Sequence, residues 1–201
     1  MKKIFFTIMI ILLIIPYFLK SQTTGTFTDK RDGQVYKTVA IGSQIWMAEN
    51  LNYQTSDSWC YDNNLSNCDV YGRLYNWDAA VRACPSGWRL PSESEWTKVS
   101  NYLGLGGAEV AGGKMKEAGT SHWNLPNTGA SNSSGFNALP GGNRISIGLL
   151  FYEVGNDGYW WSSSEYSGTA AFCRNLNYGD DQVHGGYTDK ARGFSVRCLK
   201  N

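Results

Sequence analysis

Between Val35 and Met47 the chain alternates. Val35, Lys37, Val39 and Ile41 fall to one side and Tyr36 and Thr38 to the other, and β-branched residues are frequent. Gly42-Ser43 supplies a turn, and Gln44 to Met47 return, which predicts a β-hairpin. Ala48 to Tyr53 leave the pairing. The period then changes. Leu74, Trp77, Val81 and Cys84 fall at i, i+3, i+7 and i+10, which predicts a helix closed by Pro85 and Gly87. A second helix follows Ser92, where Glu95 three residues on completes a capping box. Trp96, Val99 and Leu103 form its buried stripe, Glu93 and Glu95 complement its dipole, and Gly104 stops it. Trp88 and Leu90 read as core residues leading into that helix, and Arg89 as solvated or bonded to backbone.

From Gly104 to Gly158 the patterning is weak. A short helical turn is expected around Lys114 to Ala118, and Trp123, Leu125, Phe136 and Leu139 are the candidate anchors. Irregular stretches of this length are uncommon in compact domains and are often functional. Alternation returns at the end. Trp160 and Ser162 oppose Tyr159 and Trp161, and Ala171, Cys173 and Asn175 oppose Phe172, Arg174 and Leu176. Phe194, Val196 and Cys198 point inward. Residues 179–190 read as a long hairpin loop. The pattern predicts an α+β fold, with two helices packed on antiparallel strands and a long irregular loop region.

The first 21 residues change the compartment. Lys2 and Lys3 precede an apolar run from Ile4 to Ile15, Pro16 interrupts it, and small polar residues follow. That is the layout of a secretory signal peptide, with cleavage expected after Ser21. The run is too short for a membrane span, which needs about 20 apolar residues. No cysteine lies nearby to accept a lipid. Losing Lys2, Lys3 and Lys20 leaves 15 basic residues against 17 acidic, about −2. Without a basic patch a nucleic-acid role is excluded. Residues 22–31 read as a short lead and 32–201 as one domain.

An exported chain meets oxidising conditions, so its five cysteines are expected to pair, with at least one left over. Cys60 and Cys68 bracket a loop rich in Asn and Asp that allows a local bridge. Zinc is disfavoured by spacing, because no Cys-x-x-Cys occurs and His122 and His184 are far apart.

Five ordered stretches, "DGQVYKTVAIGSQIWMAENLNY", "YGRLYNWDAAVRACPSGWRLPSESEW", "GFNALPGGNR", "GYWWSSSE" and "ARGFSVRCLK", closely resemble the Fibrobacter succinogenes major paralogous domain family. More distantly the plan is similar to the C-type lectin-like fold, which also underlies the formylglycine-generating enzymes. That resemblance implies a disulfide from the end of the first helix to the last strand, here Cys84 with Cys198. It leaves Cys60 with Cys68, and Cys173 as a buried, inert thiol. The family implies export and a bacterial surface role, and no particular activity.

Sugar-binding lectins of the fold use Glu-Pro-Asn or Gln-Pro-Asp and a later Trp-Asn-Asp. Here the comparable stretches read "ALPGGNR" and "NDGYWWSSSE", so Asn156, Asp157 and Glu165 offer oxygens outside that arrangement, and no calcium or other cofactor is expected. A formylglycine-type oxidase needs reactive cysteines, and only Cys173 is free for it. No Gly-x-Ser-x-Gly supports a hydrolase. "LPNTG", Leu125 to Gly129, reads as a turn. The expectation is a non-enzymatic surface or extracellular module that binds a glycan or a protein. Asn143, Arg144, Asp157, Tyr159 and Trp161 are its candidate binding residues. A modifying enzyme and a purely structural protein are the alternatives.

Overall fold

A computed structural model describes residues 23–104, 110–147 and 150–201. The expected export segment lies outside them. In chain order the elements are β1 (Thr24–Thr28), β2 (Val35–Ile41), β3 (Gln44–Met47), β4 (Ser58–Trp59), α1 (Leu65–Tyr71), β5 (Leu74–Tyr75), α2 (Trp77–Ala83), β6 (Trp88–Arg89) and α3 (Glu93–Leu103). Then come α4 (Ala111–Met115), β7 (Gly141–Arg144), β8 (Phe151–Val154), β9 (Asp157–Glu165), β10 (Ala170–Asn177), β11 (His184–Asp189), β12 (Phe194–Ser195) and β13 (Leu199–Lys200).

The hairpin forms as expected, turning at Gly42 with a positive φ of 62° that glycine adopts without strain. It is covered on both faces, since Tyr36 and Thr38 are buried as well as Val39 and Ile41. One sheet runs β1-β2-β3-β13-β6, so the C-terminal strand is threaded between the hairpin and β6. The expected lead therefore supplies the edge strand β1, whose Phe27 ring sits 5.2 Å from that of Trp88. The larger sheet runs β11-β10-β9-β12-β5-β4, with β7 paired to β9 and β8 to β7. Two hydrophobic clusters result. Successive residues of one strand point to opposite faces, so Trp160 enters one cluster and Trp161 the other.

Helix α3 carries the capping box at Ser92 and Glu95 and buries Trp96, Val99 and Leu103. The other predicted helix is shorter than its stripe. Leu74 is buried from a strand, Val81 is exposed, and α2 instead buries Ala79, Ala80 and Ala83. Helix α1, which begins inside the Cys60–Cys68 loop, was not expected, and the short turn expected around Lys114 to Ala118 lies earlier, as α4, ending at Met115. Residues 179–190 also differ from expectation. Their second half is β11, paired antiparallel with β10 from Ala170↔Asp189 to Asn175↔His184. Leu125 is exposed, whereas Trp123 and Phe136 do anchor the irregular region.

Disulfides join Cys60 to Cys68 and Cys84 to Cys198, the pairings the resemblance implied, and Cys173 is free and buried. Burial pushes its thiol up to about 11, so it is protonated and inert at neutral pH. Bridges of this kind belong to a chain that folds in an oxidising compartment. No helix among the described residues is long and apolar enough to cross a membrane.

Two buried cations hold the irregular region. Arg197 is fully buried, and all five of its N–H donors have acceptors: Asn50 Oδ1 twice, and the carbonyls of Met47, Phe136 and Asn137. Lys116 donates from Nζ to the carbonyls of Thr128, Asn177 and Asp180, drawing three loops onto one charge.

Candidate functional site

The parallel bridge Gly142↔Gly158 places β7 beside β9, and so brings Asn143 and Arg144 close to Asp157 and Tyr159. These residues do not form an open aromatic surface. Asp157 is buried and its Oδ1 accepts from the Nδ2 groups of Asn175 and Asn177. Tyr159 is half-buried and stacks on Phe194 at 4.9 Å, and burial pushes its hydroxyl up to about 12. Asn143 is buried. Trp161 corrects the expectation most clearly. It has no exposed surface, its Nε1 donates to the Tyr75 carbonyl at 2.7 Å, and its ring packs on Phe194. It is a core residue. Arg144 lies over the ring of Trp59.

Of the oxygens weighed for calcium, Asn156 bonds Asn124 and Glu153, and Glu165 pairs with Lys190. His122 pairs with Glu117, and His184 with Asp180. Among the described residues no group of three or more His, Cys, Asp or Glu is placed to hold a metal ion.

The most site-like surface lies elsewhere, where α3 faces β10 and β11. A groove of about 430 Å³, within the range of small-ligand sites, is lined on the helix side by Glu93, Thr97 and Asn101. Its strand side carries Phe172, Gly185, Gly186 and Tyr187. Gly186 leaves open space above its backbone, and Gly185 is glycine for a different reason. A Cβ there would sit 2.8 Å from Arg174 Nη1, because Arg174 lies across the paired strand. Arg174 is buried and reaches over to the first turn of α3. Nη1 donates to Glu93 Oε2 at 2.7 Å, and Nη2 contacts Glu93 Oε1 at 2.5 Å and Thr97 Oγ1 at 3.1 Å. This fork neutralises both charges and ties the groove's two walls together.

At the rim stand Tyr166 and Tyr187, each about half exposed (51% and 55%), with rings stacked at 3.6 Å and only 8° apart. Phe172 meets Tyr166 edge-on at 5.5 Å and pairs across the sheet with Tyr187. Exposed, rigid aromatic surface beside a neutral polar wall can stack on the apolar face of a ligand while the wall orients its hydroxyls or amides. Sequence reasoning missed this surface because Tyr187 and the glycines fell in the segment read as a loop. The available signal was Gly185-Gly186 itself, since glycine within a strand marks close approach of another group.

No curated protein and no solved structure matches the chain. The family model described as the Fibrobacter succinogenes major domain matches residues 39–200, from the middle of β2 to the end of β13. That span takes in both disulfides, the Arg197 hub and the whole α3–β11 groove, and the chain belongs to the Fibrobacter succinogenes major domain family.

Proposed function

We propose that this protein is an exported bacterial binding module, acting at the cell surface or outside the cell without catalysis or cofactor, and that the α3–β11 groove takes a neutral glycan. One observation carries the reading: the stacked, half-exposed Tyr166–Tyr187 pair borders a groove whose only charged lining residues, Arg174 and Glu93, cancel each other. Saccharide rings present apolar faces and uncharged hydroxyls, and this pairing of surfaces matches both. The finer reading of the fold, a C-type lectin-like plan, is supported by the hairpin joined to the C-terminal strand and by the Cys84–Cys198 bridge from the end of α2. Export is supported by the apolar N-terminal run and by the disulfides. The test is a screen of residues 22–201 against neutral and acidic polysaccharides, in calcium and in chelator. Binding to neutral glycans that survives chelation is the expected outcome, and binding abolished by chelator would replace this reading with a calcium-bridged one.

A further inference from the structure

Four arginines are buried among the described residues, namely Arg73, Arg144, Arg174 and Arg197. A buried cation is costly unless its donors are hydrogen-bonded or ion-paired, and in three of the four they are. Arg197 has its five hydrogen bonds. Arg174 has Glu93 and Thr97. Arg73 donates to Ser58 Oγ and O, and lies against both sulfurs of the Cys60–Cys68 bridge.

Arg144 is different. Only 7% of the residue reaches solvent, yet its guanidinium has no hydrogen-bond or ion-pair partner among the described residues. Its guanidinium lies over the face of Trp59, 3.8 Å from guanidinium carbon to ring centroid. Burial lowers its pKa and no neighbouring charge acts to restore it. The placement is built in. Arg144 and Gly193 exchange backbone hydrogen bonds at 3.0 and 2.8 Å, and a Cβ on Gly193 would come within 3.0 Å of the Arg144 Cβ. The fork is therefore held flat on an indole with all its donors unused.

Stacking on an indole does not replace those hydrogen bonds, and nothing in the described protein supplies the missing anion. We propose that Arg144, backed by Trp59, anchors a second binding site that takes a carboxylate. With one face covered by Trp59, the N–H groups remain available at the fork's edge, and a planar carboxylate is the anion that meets such an edge with two parallel hydrogen bonds. The site is separate from the tyrosine groove and stands whether or not that groove binds glycan.

The test follows arginine Nε–Hε resonances of the mature protein by NMR during titration with acetate, with glucuronate, and with glucose as the neutral control. The resonance missing in Arg144→Gln should move with acetate and stay fixed with glucose. Movement with glucuronate as well extends the site to a sugar acid. In parallel, acetate should raise the melting temperature of the wild type above a chloride control of equal ionic strength, and Arg144→Gln should lose that gain. If Arg144→Gln does not fold, Arg144→Lys, which keeps the charge and loses the fork, should lose most of the response. A stationary Arg144 resonance in both carboxylates, or an equal acetate gain in the variant, overturns the proposal.

Discussion

Arg197 Nε and Nη2 donate to the same acceptor, Asn50 Oδ1, at 3.1 and 2.7 Å across 147 positions of sequence. Trp160 Nε1 donates to that oxygen as well, at 2.8 Å, and Asn50 Nδ2 donates to the Tyr71 carbonyl. One amide therefore joins the end of the hairpin, the central strand, the C-terminal segment and helix α1. Removing it strands a fully buried charge, so Asn50→Ala should cost about 3–5 kcal/mol in denaturant unfolding. The double variant with Arg197→Ala should cost less than the sum of the singles, because neighbours in one network couple. Strict additivity would remove Asn50 from the hub.

The two disulfides should differ in weight. Cys84–Cys198 closes a separation of 114 residues and Cys60–Cys68 one of 8. On the chain-entropy estimate their loss costs about 5 and about 2.5 kcal/mol respectively. Unfolding of Cys84→Ser with Cys198→Ser, set beside Cys60→Ser with Cys68→Ser, measures both. The local bridge would need a role beyond loop closure if its removal proved the more damaging.

Lys116 fills a position where three carbonyl oxygens converge at 2.6–3.0 Å. A protein ammonium thus does there what a bound cation could do in gathering loops. Chelator should leave the melting temperature unchanged, whereas Lys116→Met should cost about 3 kcal/mol through the carbonyls left without a donor. A fall in melting temperature on adding chelator would mean that a metal, not Lys116, secures these loops.

These hubs show what could and could not be read along the chain. The capping box at Ser92 and the hairpin turn at Gly42 are local devices, set by neighbours three or four residues apart, and both were legible. The stripe from Leu74 to Cys84 misled because Leu74 is buried by strand pairing, while the residues α2 really buries are alanines, which carry little weight in a hydrophobic pattern. Strand β11 is rich in glycine and exposed, so neither propensity nor alternation announces it. Its partner is β10, and its groove is completed by a helix about 90 positions earlier in the chain. Trp161 as a binding residue failed for the same reason, since β9 is covered on both faces and alternation there separates two cores rather than core from solvent. Nothing local in the sequence separates Arg197 from Arg144, and only the tertiary structure distinguishes the satisfied one from the unpaired one.

Alkaline pH should expose the buried tyrosines. Burial raises Tyr36 and Tyr159 from 10 to about 12, and Tyr75 well above its ordinary value. A raised native pKa means the folded state holds protons that the unfolded chain releases. The stability these groups contribute is whole below pH 10 and is lost as pH rises through about 12. Arg197, whose pKa burial lowers, contributes with the opposite sign, so tyrosinate absorbance is the cleaner readout. The late-titrating tyrosines should ionise together with loss of tertiary structure. Smooth ionisation near pH 10 in the folded protein would contradict their burial.

The central claim is that the α3–β11 groove binds glycan through its tyrosine rim. The direct measurement is calorimetric titration of the wild type, Tyr187→Ala and Asn101→Trp with the neutral oligosaccharide that screens best. Asn101 and Tyr187 are both exposed, so both variants should fold and melt close to the wild type. The account predicts that Tyr187→Ala weakens binding about tenfold, equivalent to about 1.4 kcal/mol, and that Asn101→Trp abolishes it by filling the groove from its helix side. Wild-type affinity in both variants would place the ligand elsewhere on the protein and contradict the assignment.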